Sequence, residues 1–203
     1  MFILARSAIE HAVQNYEIDY RSQYGSLFSN EVINNFRRAA VMIPMLQIEH
    51  QWHLLLTRRS ETLEEHRGQV AFPGGAQELQ DQNLQQTALR EMKEEIGVQP
   101  TDVHVFGHLG DMPILTGYLV RPFVGEIPWP YDLNISGDEV QSAFIVPLKW
   151  LANPKNRQAE YRSYGGREIP VVFYDTYKGH QLWGASAEMT LALLAALEHV
   201  IPS

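Results

Sequence analysis

The chain has 203 residues, of which 45% are hydrophobic and 20% charged, with a formal net charge of −8 and no cysteine. That apolar share suffices for one globular core, and the length predicts one domain carrying an N-terminal addition. The lack of cysteine excludes disulfides, thiolate nucleophiles and Cys-zinc sites, and the negative charge offers no general field for nucleic acid or anionic lipid. A phosphate-bearing ligand would therefore need local arginines or a metal ion.

In chain order, the apolar run within Met1–Arg6 is too short for a secretory signal, and residues 1–15 read as a short amphipathic helix with Ile3, Leu4, Ala8, Ile9 and Ala12 on one side. Residues 16–38 are polar and weakly patterned, a connector or a second short helix, so that 1–38 is an extension and 39–203 the main domain. Ala39 to Ile48 reads as a strand despite Pro44, with Gln51 to Thr57 as its hairpin partner. Arg58 to Gly68 is charged and loop-like. Val70-Ala71-Phe72 is a short strand that Pro73-Gly74-Gly75 breaks.

From Asn83 to Ile96 the period becomes helical: Leu84, Ala88 and Met92 recur at four-residue intervals, Asp81 or Asn83 can cap the start, and Gly97 suits the position after the last turn. Apolar segments follow at 103–109, 118–127, 143–148 and 169–174. A Trp183-Gly184 element and a helix from Ala187 to His199 close the pattern. The apolar run from Leu191 to Leu197 is far below membrane-spanning length, which predicts a soluble, cytoplasmic protein. Strands interleaved with a few helices predict an α/β (α+β) domain.

The helix at 83–96 carries the chemistry. Glu91 and Glu95 lie one turn apart on one face, with Glu94 beside both. Taken alone, such a cluster reads as a solvated acidic face. Two features argue for more. The cluster sits at the helix C-terminal end, where the dipole disfavours anions, and Lys93 is the only cation interleaved with it. A strand and a glycine turn, Phe72-Pro73-Gly74-Gly75, precede it. A hard divalent cation would turn the mutual repulsion of the carboxylates into binding.

The stretch Gly75 to Val98 resembles the Nudix box. Its second half matches in full as Arg90-Glu91-Met92-Lys93-Glu94-Glu95-Ile96-Gly97-Val98. Its first half departs, with one extra residue between Gly75 and Arg90 and Asp81 as the nearest match to the first acid. The resemblance implies a Nudix α/β/α sandwich with a mixed central sheet. It also implies Mg²⁺ or Mn²⁺ on Glu91, Glu94 and Glu95, and Arg90 holding a glutamate in place. Glu91 would then be a candidate general base. Glu139, in Gly137-Asp138-Glu139-Val140, is either a further catalytic acid from a later loop or a surface-turn residue.

Residues before the box, Leu55-Leu56-Thr57-Arg58-Arg59-Ser60 with Leu63, His66, Gly68 and Phe72 to Gly75, resemble the extension of coenzyme A pyrophosphatases. So do Thr116-Gly117-Tyr118 and Trp183-Gly184-Ala185-Ser186-Ala187. This implies cleavage of coenzyme A or its thioesters, with Arg58, Arg59, Arg67, Gly74 and Gly75 on the substrate side. Glu64 stands where that subfamily carries a basic residue, which keeps another nucleoside diphosphate derivative, such as ADP-ribose, as the alternative. A catalytically inactive nucleotide-binding domain is the reading from a different class. The expected partner is a small coenzyme A-like nucleotide, with no nucleic acid or membrane, and a homodimer is compatible with the sequence. Trp52, Phe72, Phe123 and Trp183 read either as core or as adenine-stacking aromatics.

Overall fold

The structure, a computed structural model, describes residues 4–16, 27–61, 68–198 and 200. Glu64, Glu65, His66 and Arg67 lie outside the described residues, as do residues 17–26 of the expected linker. Helix α1 (Arg6–Gln14) and the short α2 (Asn30–Asn34) precede β1 (Arg37–Ile48) and β2 (Gln51–Arg59). Then come β3 (Val70–Ala71), β4 (Gly74–Ala76) and α3 (Leu84–Ile96), followed by β5 (His104–His108), β6 (Met112–Ile114), β7 (Tyr118–Glu126) and β8 (Val140–Pro147). The chain ends with α4 (Leu148–Ala152), the hairpin β9 (Arg157–Tyr164) and β10 (Arg167–Tyr174), and α5 (Gly184–Leu197).

Strands β1 to β8 form one mixed sheet, with β1 parallel to β7 and antiparallel to β2 and β4. Alternation along β1 explains why helices cover both faces. Ala39, Ile43 and Met45 enter a core shared with α1 and α5, while Ala40, Met42 and Leu46 meet Leu84, Ala88, Met92 and Ile96 of α3. This is the expected α/β/α sandwich. Helix α1 is integral to it: Ile9 and Val13 are fully buried, and the Trp52 indole donates to the Leu4 carbonyl at 2.8 Å. The helix packs over β5, the last strand on its side of the sheet.

Pro44 is tolerated mid-sheet for a geometric reason. On one edge of β1, Ala39–Val41 pair with β4 and Met45–Ile48 with β2, which leaves a gap between the two partners. The Met42 N–H faces that edge, reaching the Pro73 carbonyl at 2.9 Å, so the amide position two residues on falls in the gap, where a missing donor costs no ladder bond.

The glycine turn expected at 73–75 is instead strand β4. Gly74 and Gly75 do not have positive φ. Their lack of a side chain serves close approach: a Cβ on Gly74 would lie 2.5 Å from the Ala40 carbonyl oxygen and 2.6 Å from the Val41 Cα. The β9–β10 hairpin was only half visible in sequence, because β9 is polar and largely exposed and carries no apolar alternation. Helix α5 begins at Gly184 rather than Ala187, with Trp183 at its N-cap. No helix among the described residues is long and apolar enough to cross a membrane.

Helix α3 starts on Asn83, whose side chain accepts from the Gln86 N–H at 3.0 Å. It ends on Gly97 at φ +77°, and the loop behind it caps its last carbonyls, with Asn134 N–H on Ile96 O and Ser136 N–H on Glu95 O. A Cβ on Gly97 would lie 2.7 Å from the Asn134 Cβ. Gly97→Ala is expected to destabilise the protein by about 1–2 kcal/mol, from left-handed strain plus that clash, measured by urea denaturation.

Candidate active site

Arg90 organises the acidic face of α3. Its guanidinium forms a bidentate pair with Asp81, both contacts at 3.0 Å, and donates to Glu91 and Glu94 at 2.9 Å each and to the Ala76 carbonyl at 3.2 Å. The Asp81 carboxylate also accepts from the Glu78 N–H and the Thr87 hydroxyl, and its side chain is only 4% exposed. The hydrogen bonds from Arg90 hold Asp81 down to a pKa of about 2. Asp81 therefore anchors Arg90 and does not cap α3, the other role its position suggested. The signal for it was an acid placed just before the helix on the Arg90 side.

Glu95 is buried, with 3% exposure, and its pKa is pushed up to about 8. Burial is the main cause; Arg59 and the Gly74 N–H oppose it, while Glu91 and Glu139 add to it. The nearest Arg59 nitrogen is 4.0 Å away. Burial likewise raises Glu91, with Arg90 opposing and Glu94 and Glu139 adding to the rise. Strand β4 lies directly on both carboxylates: Gly74 donates to Glu95, and a Cβ on Gly75 would overlap the Glu91 carboxylate, 2.6 Å from its Cδ. The two glycines are thus a condition for these acids to meet the sheet.

Glu139 arrives from the loop that caps α3. Its carbonyl accepts from the Ser60 N–H at 2.8 Å, and its charge acts on both Glu91 and Glu95. Glu94, at 59%, and Glu139 are the exposed members of the set. Arg59 lines a cavity of about 1010 Å³ whose walls include Gly74, Gly75, Ala76, Phe72 and the start of α5, and its buried Nε has no hydrogen-bond partner among the described residues. Arg58 does not join it there. Successive strand residues face opposite sides, and the Arg58 guanidinium pairs with Glu61 at 2.6 Å. Trp52, Phe72 and Phe123 are buried core, whereas Trp183 is 37% exposed and borders the cavity.

The donor set is all carboxylate, the chemistry of a hard divalent cation. Among the described residues no three acidic or imidazole groups converge closely enough to cage an ion as they stand. Glu91, Glu95 and Glu139 repel one another, which disfavours such convergence, and a cation would offset it. The site thus joins two acids strained by burial, Glu91 and Glu95, to a cavity lined by Arg59.

These features agree with the ancestry of the chain. It belongs to the Nudix family: the NUDIX domain matches residues 36–188. It is 40% identical over 154 residues to a protein of Photorhabdus laumondii named uncharacterized Nudix hydrolase NudL, covering 76% of this chain and 81% of that one. It is 41% identical over 149 residues to the NudL of Escherichia coli strain SMS-3-5, covering 73% and 71%. A MutT/nudix family protein from Enterococcus faecalis shares the fold, with a TM-score of 0.54 at 14% identity over 96% of this chain and 75% of that chain. The chain is a Nudix pyrophosphohydrolase, of a family that acts on small nucleotide-derived substrates and generally uses divalent metal ions.

Two outcomes follow from the electrostatics. Asp81→Asn should cost about 2 kcal/mol, the scale of a charge-assisted hydrogen-bond pair, measured by denaturation near neutral pH. The Asp81 contribution is present above its unfolded value near 3.8 and is lost as pH falls toward about 2. Glu95 has the opposite sign. Its folded pKa is raised, so the native state holds the extra proton, and in chelator-treated protein the Glu95 contribution falls as pH rises from about 4.5 to about 8. Glu95→Gln should therefore raise the Tm at pH 8 in chelator and flatten that dependence, while an unchanged Tm would show that Glu95 is not charge-strained.

Proposed function

We propose that this enzyme cleaves the pyrophosphate of coenzyme A or its thioesters to 3′,5′-ADP and 4′-phosphopantetheine, using Mg²⁺ or Mn²⁺ on Glu91, Glu94 and Glu95. The observation that carries the reading is the buried Glu95 beside Arg59, at the edge of a cavity of about 1010 Å³. A carboxylate held at such a cost is explained by a cation that offsets it, and Arg59 supplies positive charge for phosphate inside an acidic protein. The substrate assignment rests on the coenzyme A pyrophosphatase-like residues at 55–60, 72–75, 116–118 and 183–187. The domain is taken as 39–203 with 1–38 as an extension, the buried face of α1 fastening the extension to the sheet.

When bound, the metal supplies charge to the pyrophosphate oxygens and lowers the pKa of the attacking water. Glu91 or Glu139 takes a proton from that water as its oxygen attacks one phosphorus and the bond from that phosphorus to the bridging oxygen breaks. Arg90 keeps Glu91 and Glu94 oriented through the exchange, and the Asp81 pair keeps Arg90 in place. Arg59 holds a phosphate oxygen. The β4 backbone, bare at Gly74 and Gly75, lets the pyrophosphate come within reach of the carboxylates.

The second reading, hydrolysis of another nucleoside diphosphate derivative such as ADP-ribose, is favoured by Glu64, a carboxylate where the coenzyme A pyrophosphatase extension carries a basic residue. Product analysis with coenzyme A, ADP-ribose, NADH and dinucleoside polyphosphates, each with Mg²⁺ and Mn²⁺, separates the two. The expected result is cleavage of coenzyme A to 3′,5′-ADP; fast cleavage of ADP-ribose with none of coenzyme A ends the substrate assignment. Glu95→Gln is expected to lower kcat by 10²-fold or more on every substrate, on the scale of removing one group that stabilises charge in the transition state. An unaltered rate would remove the metal mechanism.

A further inference from the structure

The start of α5 forms one wall of the cavity, with Trp183 at its N-cap and Glu188 in its second turn. The Trp183 indole is a fixed plate. Phe173 of β10 stacks on it with centroids 5.5 Å apart and planes 3° from parallel, and the Arg162 guanidinium of β9 sits 5.4 Å over Phe173. A β-bridge between residues 173 and 183 locks the backbones together. With one face packed in this way, the exposed part of the indole borders the cavity, and a rigid aromatic plate of this kind stacks planar rings.

Glu188 is the only carboxylate among the described residues lining the cavity, and Arg59 the only guanidinium. Among the described residues it makes no hydrogen bond or ion pair, and burial alone raises its pKa. A carboxylate in a largely apolar wall is an acceptor in want of donors. It repels phosphate and carbonyl oxygens and attracts N–H groups. The cavity therefore has a positive pole at Arg59, beside the acids of α3, and a negative pole at Glu188.

We propose that Trp183 and Glu188 form the base subsite of this enzyme, taking an aromatic base with an exocyclic amine such as adenine, its ring on the indole and its amino group donating to the Glu188 carboxylate. The inference rests on the proposed nucleoside diphosphate substrate. Both side chains line the same cavity, one at the N-cap and one in the second turn of a single helix. Hypoxanthine places a carbonyl where adenine has that amine, so the same site disfavours it.

The test pairs kinetics with direct binding. Matched adenine and hypoxanthine substrates, NADH against its deaminated analogue for one, are expected to differ at least tenfold in kcat/KM for the unaltered enzyme, the difference lying in KM. Glu188→Gln, whose amide both donates and accepts, should bring the two within about threefold. Trp183→Ala should raise KM for both bases about tenfold, with Trp183→Phe recovering most of the loss. In saturation-transfer NMR, adenosine alone should bind the unaltered protein and lose its signal in Trp183→Ala. Equal use of both bases by the unaltered enzyme, or a preference untouched by Glu188→Gln, overturns the subsite. If no pyrophosphate is cleaved at all, the proposed function fails, and the adenosine titration still decides the subsite.

Discussion

Arg90 is the interaction on which the active-site face depends. One guanidinium binds Asp81 through two parallel hydrogen bonds, steadies Glu91 and Glu94, and ties α3 to β4 through the Ala76 carbonyl. Only arginine has a planar fork with enough donors to do all of this at once; lysine would offer a single point of charge. Without that cation, Glu91 and Glu94 would be neighbouring anions at the helix end where the dipole already disfavours them.

Backbone economy makes the arrangement reachable. The partners of β1 are split between β4 and β2, so the short β4 lies over the C-terminal half of α3, with its Gly74 N–H on Glu95 and Gly75 against Glu91. Side chains there would hold the strand off the carboxylates. The same split makes room for Pro44 in what is otherwise a central strand. The left-handed turn at Gly97 ends α3 against Asn134, and the loop that follows β7 caps the helix and brings Glu139 to the other acids.

The fold supports acids whose charge it disfavours. Glu95 lies in a position where burial outweighs the help of Arg59 and Gly74. A protein tolerates such strain only where the surrounding structure fixes it, here two apolar layers against a common sheet. Marginal stability makes that tolerance limited, which is why the strain is confined to one end of α3.

Local order was the part written in the sequence. The four-residue spacing of Leu84, Ala88 and Met92, the Asn83 cap and Gly97 define α3, and the register of Arg90 with Glu91, Glu94 and Glu95 follows from helix periodicity alone. The apolar runs of β1 and β2 were equally legible, since a strand buried on both faces requires apolar residues at successive positions. What depended on distant partners was not. Whether Gly74 and Gly75 turn or pair is decided by β1, which lies more than thirty residues earlier. Which arginine faces the cavity is decided by the face of β2 that meets it, and Arg58 and Arg59 are indistinguishable until that face is fixed. The polar β9 has no burial pattern of its own and takes its place from pairing with β10. Trp183, like Trp52, Phe72 and Phe123, is an aromatic in an apolar setting, and only packing separates the three that are buried from the one left exposed at the cavity. Helix caps and periodicity act within a few residues, so sequence determines them; pairing, close approach and cavity walls arise between segments far apart in the chain, so only the tertiary structure decides them.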